Sequence, residues 1–106
     1  MVQSPSNQPA PFDAIRLSLQ AREILERLDA SGGIGNDDVF YRWLGTIGLA
    51  VASSHLVDLL DRLEREALVT SEMVERIRVL RLTRRGQEVV RGVEAVEWIA
   101  PPEPRA

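Results

Sequence analysis

The sequence predicts one small domain, mainly α with a small β-hairpin, in the order α-α-α-β-β-α, and three observations carry that expectation. Apolar residues recur at helical spacing in three successive segments before Leu68. Two short runs follow, Leu68-Val69-Thr70 and Arg76 to Leu82, in which strand formers cluster or alternate. Both ends, MVQSPSNQPAP and PPEPRA, hold almost nothing to bury. They read as an N-terminal tail over residues 1–11 and a Pro-rich C-terminal tail over 100–106, leaving a folded domain over 12–99.

In the first helix Asp13 is the capping candidate, and Leu17, Ala21, Ile24, Leu25 and Leu28 form the apolar stripe until Ser31-Gly32-Gly33 stops it. Asn36, Asp37 and Asp38 offer a cap and dipole-matched acids for a second helix with Val39, Phe40, Trp43, Leu44 and Ile47 on one stripe. After the small apolar stretch Gly45 to Ala50, Ser53 or Ser54 caps a third helix, in which Leu56, Leu59, Leu60, Leu63 and Ala67 follow the i, i+3, i+4, i+7 rule. The hairpin then takes Leu68 to Thr70 as one strand, Glu72 to Glu75 as the turn and Arg76 to Leu82 as the other. Two parities overlap at Val79-Leu80-Arg81-Leu82, which predicts a bulge or an edge position. Thr83 caps a fourth helix, Arg84 to Arg91, and Gly92 ends it. The run from Val93 to Ile99 fits either a continuing helix or a strand.

At 106 residues the chain buries roughly 60 to 70% of its unfolded surface, and its 44% apolar content is that of a globular protein. Without cysteine there is no disulfide, zinc-finger or thiol chemistry. No apolar run approaches the ~20 residues of a membrane span, and the N-terminus has no basic head before an apolar block. The expectation is a soluble cytoplasmic protein. Gly32-Gly33-Ile34-Gly35 leaves no strand and is not followed by Lys-Ser/Thr, so it is no phosphate loop. Ser53 and Ser54 have only His55 beside them, and Asp37-Asp38 reads as a cap. No enzyme, cofactor or metal site is therefore predicted.

Helix, helix, helix, strand, turn, strand, helix is the order of a winged helix-turn-helix domain. Ala52-Ser53-Ser54-His55 opens the third helix, Leu63-Glu64-Arg65-Glu66-Ala67-Leu68-Val69 closes it, and Leu82-Thr83-Arg84-Arg85-Gly86 leads into Val89-Val90-Arg91-Gly92. On these residues the chain resembles the winged-helix regulators of the ArsR and MarR type. More narrowly, it resembles a family of small winged-helix proteins encoded in Mu-like phages and prophages, over roughly residues 13 to 104. The resemblance implies that the third helix enters the major groove of double-stranded DNA while the hairpin reaches the backbone. It also implies a homodimer, formed through the first and last helices. The alternative function is a protein-protein adaptor on the same scaffold, docking a phage or host protein in packaging, assembly or replication.

The DNA-contact candidates are Ser53, Ser54 and His55 in the first turn of the third helix, Arg62 and Arg65 further along it, and Arg76 and Arg78 on one strand face of the hairpin. Against them stand Asp58 and Asp61, and a second reading makes that face a solvated surface of paired charges. The chain carries a net −3 with thirteen arginines and no lysine, yet six arginines and one acid, Glu88, fall between Arg76 and Arg91, a local +5. Arg76 and Arg78 also fit a second role, charged protection of an edge strand. Glu72 and Glu75 stand where an inserting hairpin carries Gly or Lys. Arg84 and Arg85 oppose the dipole of the helix they open and so point to a nearby acid or phosphate. Tyr41, off the apolar stripe, and Trp98 and Ile99, just before Pro101-Pro102, are candidates for a dimer or partner surface; in the other reading Trp98 folds back and closes the core.

Overall fold

The computed structural model describes residues 11–103, so residues 1–10 of the expected N-terminal tail and 104–106 of the C-terminal one lie outside the described residues. The described residues form an α+β domain of four helices and one three-stranded antiparallel sheet: α1 Pro11–Ala30, β1 Ile34–Asn36, α2 Asp37–Thr46, α3 Ser53–Arg65, β2 Val69–Val74, β3 Ile77–Leu82 and α4 Arg84–Val90. The expected order lacked β1. Three residues inside a glycine-rich break carry no alternation to read, and β1 exists because it pairs with distant β3, Gly35 opposite Leu80.

Most of each apolar stripe assembles as the periodicity predicts, with two corrections: Val39 is exposed, because Phe40 and Leu44 form the inner face of α2, and Ala67 is exposed past the end of α3. Ile24, Leu25 and Leu28 of α1, Phe40 and Leu44 of α2 and the four leucines of α3 meet Leu68, Val69, Leu80 and Val89 in one core. Caps divide between expectation and correction. Asn36 caps α2 by accepting from Val39 N–H at 3.0 Å, and Thr83 caps α4 by accepting from Gly86 N–H at 3.0 Å. Asp13 instead lies within helix α1, where it complements the dipole and does not cap it. Helix α3 starts after Ala52, and no side chain caps it.

All four helices close with the same 6→1 backbone bond: Gly33 N–H to Leu28, Leu49 to Leu44, Leu68 to Leu63 and Val93 to Glu88, at 2.7 to 3.0 Å. The residue at the left-handed position is Gly32, Gly48 and Gly92 in three of them and Ala67, at φ 62°, in α3. A β-carbon there is strained. Ala67→Gly is therefore expected to raise stability by about 1 kcal/mol, read as a higher urea midpoint at unchanged m-value.

Strand β3 is central, in the order β1-β3-β2. Its register with β2 runs unbroken from Val69 opposite Leu82 to Val74 opposite Ile77, so the expected bulge is absent. The overlapping parities arise because Leu80 is buried on one face while Val79 is half-buried on the other. The hairpin turn is Glu75-Arg76, not Glu72 to Glu75, and Glu75 takes φ 57°. This moves Arg76 off the strand face it was expected to share with Arg78 and onto the tip.

Neither reading of Val93 to Ile99 holds. The segment is irregular and folds back, placing Ile99 in the core at 5% exposed. Ala100 N–H donates to the Ser18 carbonyl at 3.2 Å, and Arg22 of α1 donates from Nε to the Ala100 carbonyl at 2.7 Å.

Candidate nucleic-acid interface

Ser53, Ser54 and His55 occupy the exposed first turn of α3. The leucines of α3 face the core, so Val57, Asp58, Asp61, Arg62 and Arg65 lie on or beside the outward face. Two grooves flank it. One, of about 570 Å³, runs between α1 and α3 and includes Arg16, Gln20, His55, Asp58, Arg62 and Arg65. The other, of about 340 Å³, runs between α2, α3 and the hairpin and includes Tyr41, Ser53, Val57, Arg76 and Ile77. The α2–α3 connection, which lines the first groove at Ala50 to Ala52, is tied to α1 by Gln20, whose amide donates to the Leu49 carbonyl at 3.0 Å, and by Arg16, which donates to the Ala50 carbonyl.

The expected contact residues divide. Ser53, Ser54, His55, Arg65 and Arg76 are exposed, and neither arginine makes an ion pair among the described residues. Arg62 is half-buried, its guanidinium 3.9 Å from the centre of the Trp98 ring and its Nε 3.4 Å from Glu66 Oε2. Arg78 is the clear departure. It lies on the inner face of β3, 14% exposed, with Nη1 2.8 Å from Asp61 Oδ1, Nη2 3.0 Å from Glu64 Oε1 and Nε donating to Ser71 Oγ at 3.1 Å. Three of its five N–H donors are thereby committed to partners within the chain. Of the two acids expected to oppose DNA binding, Asp61 is a partner of this arginine, whereas Asp58 is exposed and makes no ion pair among the described residues.

The local +5 is answered in the same way only in part, since Arg76 and Arg81 are exposed and make no ion pair among the described residues. Arg84 pairs with Glu88 at 3.6 Å and Arg91 with Asp29 at 3.8 Å. Arg85 reaches Glu94 at 2.8 Å and also donates to the Glu66 carbonyl. Its hydrogen bond to Glu94 raises an already high pKa. The partner implied by its placement at a helix N-terminus is thus an acid of the same chain. Asp29 and Glu94 are too far away in sequence for local spacing to reveal them.

Glu64 was not singled out by the sequence, because a carboxylate four residues after Leu60 on a charged helix looks like any solvated residue. Its Oε1 accepts from Ser71 Oγ at 2.7 Å and its Oε2 from Ser71 N–H at 3.1 Å. The hydrogen bonds from Ser71, joined by the one from Arg78, hold its pKa below the ordinary 4.5. A depressed carboxylate contributes stability that is present above its unfolded pKa and is lost as pH falls through the folded one. The stability gap between the parent chain and Glu64→Gln is therefore expected to be full at pH 6 and to close below 4.5; urea midpoints at stepped pH read it.

Of the proposed partner surface, Tyr41 is exposed, whereas Ile99 is in the core and Trp98 packs against it with Nε1 donating to Glu66 Oε2 at 2.9 Å. Trp98 and Ile99 are thus corrected from surface to closure of the chain's own core, because Arg22 and Ser18 pin the following residue to α1. Among the described residues no three His, Asp or Glu side chains come together as a metal site, and no helix is long and apolar enough to cross a membrane.

Comparison with family models, curated proteins and solved structures finds no match to this chain.

Proposed function

We propose that the chain is a winged helix-turn-helix protein that binds duplex DNA through the first turn of α3 and the tip of the β2–β3 wing. The observation that carries this reading is the uncapped, exposed start of α3 in the same groove as Arg76, with Ser53 on one wall and the wing-tip arginine on the other. Unsatisfied N–H groups at a helix start favour phosphate, small hydroxyls approach it closely, and an arginine fork holds a second phosphate. The element order and the β1-β3-β2 sheet, with α3 immediately before the wing, suit this fold. The contact set is Ser53, Ser54, His55, Arg65 and Arg76. A role as a phage or prophage transcriptional regulator, and the Mu-like relationship, rest on the sequence resemblance.

A homodimer belongs to the same proposal. Phe12, Ile15 and Leu19 form an exposed apolar stripe on α1, and Tyr41 is exposed on α2. Sedimentation of the parent chain decides it; a monomer at every concentration removes the dimer.

One observation favours the adaptor alternative. Tyr41, Val57 and Ile77, at 45, 51 and 37% exposed, stand in the same groove as Arg76, and such a patch suits a protein partner better than a phosphate backbone.

Titration of a mixed-sequence duplex over a salt series separates the two. DNA binding is expected to weaken steeply with salt, and Arg76→Ala to flatten the log-log slope by roughly one unit, the value of one lost phosphate contact. No binding at low salt by a folded chain overturns the DNA reading and leaves the adaptor.

A further inference from the structure

We infer that Arg78 is a positioning residue, which sets the wing-tip Arg76 at its distance from α3, and not a phosphate contact. The inference rests on the duplex-binding reading and names what makes its two-point contact rigid. Three residue pairs lie on the inner face of the hairpin from base to tip: Val69 with Leu82, Ser71 with Leu80, and Met73 with Arg78. In the first two, Val69 and Leu80 are anchored in the core. In the last, Met73 is 62% exposed, and Val74 and Ile77 beyond it are exposed as well. Arg78 is thus the last inward side chain before the tip that grips the body of the protein.

Its grip is three-sided. The guanidinium joins Asp61 and Glu64 of α3 to Ser71 of β2, while the Arg78 backbone N–H donates to Asp37 Oδ1 at the start of α2, 3.2 Å away. Two carboxylates on one planar cation give a fixed geometry that a single ammonium does not reproduce. The same pairing offsets acids that would otherwise repel phosphate beside α3.

The test uses the full chain and Arg78→Gln combined with Asp61→Asn, a pair that leaves the net charge unchanged. Amide exchange is expected to quicken at residues 74–77 with α1 still protected. Affinity for the mixed-sequence duplex is expected to fall roughly tenfold, the scale of ordering a loosened hairpin on binding, at an unchanged salt slope. Arg78→Lys, which restores the charge without the fork, is expected to stay weakened. A slope reduced by one unit over an unchanged hairpin overturns the inference and makes Arg78 a phosphate contact. Binding by Arg78→Lys equal to that of the parent also overturns it. Absence of duplex binding by the parent overturns the functional reading, and is told apart because it is seen before any substitution.

Discussion

Gly86→Ala is expected to lower stability by about 3 kcal/mol, the upper end of what overpacking a tight core costs. A β-carbon built on Gly86 would meet the Leu68 carbonyl oxygen, and would lie 2.6 Å from Leu82 Cδ1. The leucine end can swing aside, but the carbonyl cannot. Leu68 O already accepts from Thr83 N–H at 3.1 Å and from Thr83 Oγ1 at 3.0 Å, and the Leu68 side chain is fully buried. Thr83 and Gly86 together dock the first turn of α4 on Ala67 and Leu68, between α3 and β2, which is the mechanical content of the Leu82-Thr83-Arg84-Arg85-Gly86 run. A loss of this size is a large part of the ~5 to 15 kcal/mol that holds a domain folded. Urea denaturation followed by circular dichroism measures it. Gly45→Ala is the control of opposite sign: its β-carbon would meet nothing within 4 Å on exposed α2, and it should gain up to about 1 kcal/mol. Equal midpoints for Gly86→Ala and the parent chain would show that the α3–α4 junction yields.

Arg22→Ala is expected to cost a similar amount, about 3 kcal/mol, because charge-assisted hydrogen bonds are among the stronger ones and their acceptors would be left unmade. Arg22 is 6% exposed on α1, with Nη2 3.1 Å from the Val89 carbonyl, Nη1 3.2 Å from that of Val90 and Nε 2.7 Å from that of Ala100. Glu26, 3.3 Å away and one turn along the helix, balances its charge. One side chain thereby fastens the end of α4 and the returning C-terminal segment to α1. The specific consequence is release of that segment. Trp98 fluorescence and amide exchange near Ile99 should change in Arg22→Ala at denaturant concentrations where α3 is still protected. A cooperative loss of all signals at one midpoint would instead make Arg22 an ordinary contributor to the whole core.

The uneven legibility of the chain follows from the range of the interactions involved. Leu56, Leu59, Leu60 and Leu63 announce α3 by spacing alone, and Asn36 and Thr83 announce their helices because a cap acts within three residues. Strand β1 was invisible for the opposite reason, since its partners lie more than forty residues downstream at Val79 to Arg81. The hairpin turn was misplaced because acids look like turn residues, whereas cross-strand pairing carried β2 through Glu72 to Val74. Arg22 gave no signal at all. An arginine on a helix reads as solvated until three carbonyls from distant segments converge on it.

The candidate interface divides along the same line. Sequence alone determined four helices with their apolar faces, the α3 first turn Ser53-Ser54-His55, the clustering of arginines after Arg76 and the absence of cysteine chemistry. Only the tertiary structure decided which arginines are free. Local composition counts charges, but an ion pair forms wherever the fold brings two side chains within reach. Asp61 was thus turned from an opponent of a DNA interface into, with Glu64, the anchor of Arg78, while Arg76, taken into the tight turn Glu75-Arg76, became the exposed charge at the wing tip.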